Sequence, residues 1–406
     1  MMLAHAPSEN ETSSTHRSLV ASRARLAAHD DAIVRSQIAV AQISAPTGEE
    51  SERAGWIARR FQDCGLADVH IDDAGNVIGR RGGSRDIEPV VICAHLDTVF
   101  PRDTDVAVRR DGERLVGPGI NDNGRGLAVM LALATEVDGV RLRTLRPVEF
   151  VATTGEEGLG DLRGAKEYFR TRGRDAHAVI ALDGAGDERI IHRALGSRRY
   201  RISFSGPGGH SWSAFGVPNA VHAAAGAAAR LASLHLPASP RTTLSVGRIG
   251  GGLSVNSIPA AAWLEVDVRS TSAAQLDELE ATIRRVTQVA AEEENAKRAL
   301  SAPCLTAEIV SIGCRPCGET PVEHELVQSA MEATRLIGRH PDLALASTDA
   351  NVPISRSIPA IAIGAGGRGG DAHTHTEWFD NLHGTLGVAR ALTIVVTAAR
   401  LHAAPA

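Results

Sequence analysis

VVICAHLDTV (90–99) and VEFVATTGEE (148–157) decide how this chain folds. Each is an apolar, β-rich run with the pattern of a buried strand, and each ends in groups that are normally solvated: His95 and Asp97 in the first, Glu156 and Glu157 in the second. Taking an isolated carboxylate out of water costs roughly several kcal/mol unless it is paired or binds a metal. Three further segments repeat the pattern. GPGINDNGRG (117–126) carries Asp122 among glycines, LDGAG (182–186) carries Asp183 at the end of an apolar run, and HTHTEW (373–378) follows the glycine-rich GAGGRGGD (364–371). Arg125 is the one basic residue within the acidic segments, so a cation is the simplest compensation for so many charges.

Outward from these runs, helical and strand patterns alternate. Helices are expected over 29–44, 49–64, 124–137 and 161–172, with strands over 68–80, 88–96, 147–154 and 178–183. This alternation reads as an α/β layer with a mainly parallel sheet. From Arg198 the order becomes strand 198–205, helix 218–234, strands 241–249 and 258–269, helix 272–294 and strand 304–313, the β-α-β-β-α-β sequence of a ferredoxin-like unit. A helix at 318–338, a strand at 359–364 and a helix at 381–402 restore the first pattern. The expected organisation is a metal-binding catalytic domain of 17–197 plus 315–406, an inserted lid or dimerisation domain of 198–314, and a disordered leader over 1–16. In open α/β sheets, ligand sites form beyond the carboxyl ends of the strands, and the candidate residues fall there.

Composition narrows the function classes. With 406 residues and 43% hydrophobic content, the chain can build more than one core. A net charge of −5 and the lack of a basic stripe argue against nucleic acid as a partner. The longest apolar stretches, LAVMLALA (127–134) and LTIVVTAA (392–399), are far shorter than the roughly 20 residues of a membrane span. Five cysteines (Cys64, Cys93, Cys304, Cys314, Cys317) make no disulfide framework, and the first sixteen residues lack the basic start and apolar core of a signal peptide, so a cytoplasmic location is expected.

The ordered set AHLDTV (94–99), GPGINDNGRG (117–126), TTGEEG (153–158), LDGAG (182–186), GPGGHSW (206–212), SVNSIP (254–259), DVRS (267–270) and HTHTEW (373–378) resembles the peptidase M20 family of zinc-dependent exopeptidases, aminoacylases and deacetylases. The resemblance covers about residues 90–380 and is specific as a set, although H-x-D or G-G-H alone would mean little. It implies a binuclear zinc site bridged by Asp122, with His95 and Asp183 completing one metal and Glu157 and His373 the other. It further implies Glu156 as general base, Asp97 as the group orienting His95, and His210 as an oxyanion donor brought from the small domain, usually of a partner subunit in a homodimer. Asn256 and Arg269 match positions that grip substrate in relatives, Arg269 by pairing a carboxylate. Cobalt or manganese suits the same N/O donors as zinc.

Several alternatives stay open at this level. Asp122 stands where a residue could cap the helix beginning near 124, and Asp183 could simply form a turn. Arg269 could make a structural ion pair with a strand neighbour. In HTHTEW, the resemblance implies a metal His four residues before a Glu, which is His373 with Glu377, but His375 lies on the same face if the segment is extended. STDAN (347–351) resembles a family segment near the site without a chemical role attached. The substrate is a short peptide or an N-acyl amino acid, because the scissile amide and the metal chemistry are the same for both. A non-catalytic metal-bound scaffold is the third reading, and the presence of Glu156 beside the ligand set weighs against it.

Overall fold

The computed structural model describes residues 9–84, 86–137 and 142–402. They form two compact units: one runs to Ala194 and resumes at Glu319, and the other is Leu195–Gly318.

The first unit is built on a mixed sheet. Its strands lie in the order Ala67–Ile71, Val77–Arg81, Val148–Thr153, Val90–His95, Ala178–Leu182, Ala360–Ile363 and Arg189–Ala194, with Asp342–Ala346 pairing the last. Val90–His95 runs parallel to both Val148–Thr153 and Ala178–Leu182, and Ala360–Ile363 is parallel to the latter. Antiparallel pairs flank this parallel centre. The strands need no polar face because both sides are covered. Alternation sends Val90, Ile92 and Ala94 into one apolar cluster and Val91 and Cys93 into the other. Helices Asp30–Ala41, Ser51–Asp63 and Gly124–Glu136 pack into the first cluster; Arg163–Arg170 packs into the second through Ala165, Tyr168 and Phe169. In Asp30–Ala41 the buried positions Ile33, Gln37, Val40 and Ala41 recur at helical spacing, which is why the segment is a one-sided helix.

The second unit is a four-stranded antiparallel sheet in the order Thr242–Gly251, Ala261–Ser270, Gly196–Ser205, Thr306–Arg315. Counted along the chain this is 2-3-1-4, the strand order of a ferredoxin-like unit, and helices Ala220–Ala232 and Ala273–Ala296 cover one face over Ile202, Phe204, Leu264 and Val266. The mainly parallel α/β layer with a ferredoxin-like insertion is therefore the architecture the patterns imply.

Details differ from the sequence expectations. Residues 9–28 form a helix, Glu9–Ala28, where an irregular leader was expected over 1–16; residues 1–8 lie outside the described residues. The expected strand 68–80 is a hairpin of two strands, because Asp72 turns the chain by accepting the backbone N–H groups of Ala74 and Asn76. Arg189–Ala194 and Asp342–Ala346 lack a long apolar run and escape a pattern search. A small sheet of Arg109–Asp111, Arg114–Val116, Arg368–Gly370 and Trp378–Asp380 was also unexpected.

Candidate functional site

Strand register brings the first ligand candidates together. His95 is level with Thr153 in the parallel pairing, so the residues that follow each strand, Asp97 on one side and Glu156 with Glu157 on the other, leave the sheet at the same edge. Asp183 follows Ala178–Leu182, the other neighbour of the same strand. Asp122 lies just before helix Gly124–Glu136, and His373 in the turn between Arg368–Gly370 and Trp378–Asp380. Asn123, not Asp122, caps that helix, accepting the Gly126 N–H at 3.1 Å, so the Asp122 carboxylate is committed elsewhere.

The side chains of His95, Asp122, Glu157, Asp183 and His373 converge. His95 Nε2 lies 2.9 Å from Asp122 Oδ1 and 4.0 Å from Asp183 Oδ1. His373 Nε2 lies 2.8 Å from Glu157 Oε1 and 3.3 Å from Asp122 Oδ2. The two oxygens of Asp122 thus face two different imidazoles. His95, Asp122 and Asp183 form one group of potential ligand atoms within 4.8 Å of each other; Asp122, Glu157 and His373 form a second; Glu156 joins His95 and Glu157 in a third. His375 stands apart from these groups, its ring 5.6 Å from that of Phe100.

Buried groups around the cluster fix its members. His95 Nδ1 is 3.1 Å from the Asp97 backbone oxygen, so Nδ1–H donates there and Nε2 is the ring atom turned to the cluster. The Asp97 carboxylate, 3.6 Å from that ring, accepts instead from the backbone N–H groups of Glu156 and Glu157, both at 2.9 Å, and from Thr47 Oγ1 at 2.8 Å. It positions the Glu-Glu turn more directly than the imidazole. Glu377, fully buried, was singled out in the sequence only as a spacing partner of His373. Its carboxylate accepts the N–H groups of Gly119, Asn121 and Asp122 at 3.1, 2.8 and 2.8 Å and so shapes the Asp122 loop. Asp349, in the STDAN run, is buried and accepts from Thr153 Oγ1 at the end of the Val148–Thr153 strand.

Electrostatics show what this arrangement calls for. Burial and the Asp122 charge push Asp183 up to about 7 and also raise Glu157. Hydrogen bonding to Asp122 pushes His373 up to about 9. At His95, burial opposes protonation but the hydrogen bond to Asp122 and the nearby Asp97 carboxylate overcome it and raise the imidazole well above its ordinary range. Burial works against ionisation of Asp122, yet the hydrogen bonds from His373 and His95 win and hold it low. Crowded carboxylates here draw protons onto their neighbours, as a site for positive charge does. The donor set fits divalent cations: tetrahedral coordination by N and O at zinc distances places ligand atoms about 3.4 Å apart, inside the observed 2.8 to 4.0 Å spread.

His210, Asn256 and Arg269 belong to the second unit. Gly209–His210 pairs with Ser257–Ile258, and Ser211 N–H donates to the Asn256 carbonyl at 3.0 Å. His210 Nδ1 accepts the Trp212 N–H at 3.2 Å, which leaves the proton of the neutral ring on Nε2. Asn256 Oδ1 accepts from Ser254 Oγ. Arg269 donates through Nε to Asp267 Oδ2 at 2.8 Å, the strand-neighbour ion pair that was its structural alternative.

Residues 76–205 match the model described as Peptidase family M28, and residues 194–295 match the M20-type peptidase dimerisation domain. The chain is similar to YqjE of Bacillus subtilis, an uncharacterised protein, at 27% identity over 346 residues, 80% of this chain and 87% of that protein. It is similar to carboxypeptidase G2 of Pseudomonas sp. at 26% over 227 residues, 54% of this chain and 52% of that enzyme. In structure it resembles aminopeptidase PepT of Bacillus cereus, with a TM-score of 0.72 and 23% identity over 91% of this chain and 98% of that one. It also resembles YxeP of Bacillus subtilis, a dinuclear metal-binding peptidase from the M20 family, with a TM-score of 0.65 and 17% identity over 93% and 98% of the two chains.

Proposed function

We propose that this chain, a hydrolase with the fold and dimerisation domain of the M20 peptidases, is a binuclear zinc-dependent exopeptidase cleaving the amide bond of short peptides. The observation that carries this reading is the pair of ligand groups that share Asp122 and no other residue. A shared carboxylate with one oxygen toward each imidazole suits two cations held side by side. In this reading His95 and Asp183 complete one position, Glu157 and His373 the other, and Glu156 is left for proton transfer. Zinc is the metal the resemblance implies, and cobalt or manganese would suit the same donors.

When bound, the cations would supply Lewis-acid polarisation of the scissile carbonyl and acidify a water. Glu156 takes the proton of the attacking water on its carboxylate and delivers it to the leaving amine nitrogen. Asp97 keeps that carboxylate in place by holding the backbone on which it sits. His210, with Nε2–H available, would donate from the second unit of a partner subunit to the carbonyl oxygen as negative charge develops there. Asn256 and Arg269 hold the substrate; for Arg269, its bond to Asp267 fixes the guanidinium through Nε, so the terminal nitrogens are the ones that would pair a substrate carboxylate.

The matched dimerisation domain supports a homodimer in which the second unit makes the contact. The five cysteines are all free, in keeping with the cytoplasm as location, and no described helix is long and apolar enough to cross a membrane. The test is amine release from dipeptides, tripeptides and N-acetyl amino acids before and after chelation. Chelator-sensitive cleavage of the peptides is the expected result. Cleavage of the N-acetyl amino acids alone would replace the peptidase with a deacylase, and no cleavage of any amide by metal-loaded protein would leave only the scaffold.

A further inference from the structure

Three successive backbone N–H groups carry the Glu156-Glu157 turn, and each ends on a buried carboxylate. Asp97 takes those of Glu156 and Glu157; the first, from Gly155, goes to Glu50 Oε1 at 3.0 Å. Glu50 is only 4% exposed and immediately precedes helix Ser51–Asp63, far from the turn in sequence. The same oxygen accepts the Gly48 N–H at 2.9 Å, and Arg163 Nη2 reaches both carboxylate oxygens at 3.0 Å. Arg163 opens helix Arg163–Arg170 on the far side of the turn. One ion pair therefore ties the start of two helices to the residue before the catalytic pair. The turn itself has little slack: Gly155 sits at φ +64°, and a Cβ on Gly160 would lie 2.5 Å from the Gly155 Cα and 2.6 Å from Thr47 Cγ2.

We propose that Glu50, held by Arg163, is a positioning residue for hydrolysis, aiming Glu156 and Glu157 by fixing the backbone at Gly155. The assignment rests on the roles given to those two residues above. Glu50 touches neither substrate nor cation; it acts through the turn. A buried carboxylate is suited to this because its two oxygens can accept from Gly155, Gly48 and a guanidinium at once, with the Arg163 charge as counterweight. A glutamine at the same place has one acceptor oxygen and an NH2 group, and every one of its neighbours is a donor. With its oxygen toward Gly155 the glutamine sets its NH2 against the Arg163 guanidinium and removes one of that group's two acceptors; turned the other way, it leaves the Gly155 and Gly48 N–H groups without theirs.

The test compares Glu50→Gln with Glu136→Gln, measuring kcat, KM, melting temperature and the zinc dissociation constant by chelator competition. Glu136 is an equally buried carboxylate paired with an arginine, Arg25 at 2.8 Å, at the C-terminal end of helix Gly124–Glu136. Both variants should melt lower than wild type. Glu50→Gln alone should lower kcat per metal-loaded chain by about 10- to 100-fold, with KM within about twofold, and weaken zinc binding by about tenfold, the scale of outer-shell effects at metal sites. If its kcat and zinc affinity match those of Glu136→Gln, the residue is merely structural and the proposal is overturned. Should Glu50→Gln fail to fold, Arg163→Lys replaces the two-oxygen grip with a single-point charge and should lower kcat several-fold at near-native melting temperature; unchanged kcat would overturn the proposal. Absence of amide cleavage by wild type would count against the proposed function, whereas zinc affinity would still decide the role of Glu50.

Discussion

Glu377→Gln tests whether the Asp122 loop is held by a single buried carboxylate. In the wild type Oε1 accepts from Asn121 and Asp122, and Oε2 from Gly119. The glutamine oxygen can keep the two 2.8 Å bonds, but its NH2 then faces the Gly119 N–H, and stranding a buried donor costs about 1–3 kcal/mol. The two remaining bonds change from charge-assisted to neutral acceptors, a loss of roughly 1 kcal/mol each. Against this, removing a negative charge relieves its repulsion with Asp122, which together with burial pushes Glu377 up to about 7 despite those N–H bonds. The net expectation is a loss of about 2–4 kcal/mol in stability. Because the carboxylate shared by both ligand groups rides on this loop, zinc affinity should fall about 10- to 100-fold. Denaturant unfolding of the metal-free protein and chelator competition read the two effects separately. Lost stability with unchanged zinc affinity would refute the link between loop and metal site.

Glu156→Gln should leave bound metal nearly unchanged and lower turnover by several orders of magnitude; retained turnover, seen in steady-state assays, would remove Glu156 as the base. His373→Ala should lose about half of the bound metal and His375→Ala none, as elemental analysis would show, since only His373 reaches Glu157 and Asp122. His210→Ala should reduce turnover without removing metal; loss of zinc would place His210 among the ligands. For the metal-free protein, Asp183 is raised to about 7 and His373 to about 9, so the folded chain holds more protons than the unfolded chain between about pH 4 and 9. The stability that His373 contributes is complete below about 6.5 and is lost as pH rises through about 9, while ionising Asp183 between about 4 and 7 acts in the same direction. Melting temperature after chelation should therefore fall from pH 5 to 9; a rise over that range would show that the cluster is not short of positive charge.

The residues legible in the sequence were those whose charge contradicts their surroundings. His95, Glu156, Glu157 and Asp183 end strands that are otherwise buried, and apolar, β-rich runs rather than alternation identified those strands because both faces carry apolar side chains. Asp122 and His373 lie in glycine-rich segments, where the motif set rather than periodicity singled them out. Glu50, Glu377 and Asp349 were not legible as functional residues. Each spends its charge on backbone N–H groups or a threonine hydroxyl distant in sequence, and such a partner leaves no spacing to read. The choice between His373 and His375 was likewise a matter of three dimensions: the small sheet around 368–380 turns one toward Glu157 and the other toward Phe100. Helix Glu9–Ala28 was missed because its polar sequence, ENETSSTHRSLVASRARLAA, has no apolar stripe.

Metal stoichiometry of the wild type beside Asp122→Ala tests the central claim most directly. Elemental analysis should find about two divalent ions per chain in the wild type and neither retained after loss of Asp122, because both ligand groups contain it. A single ion in the wild type, or a full complement retained by Asp122→Ala, would contradict a binuclear centre bridged by that carboxylate.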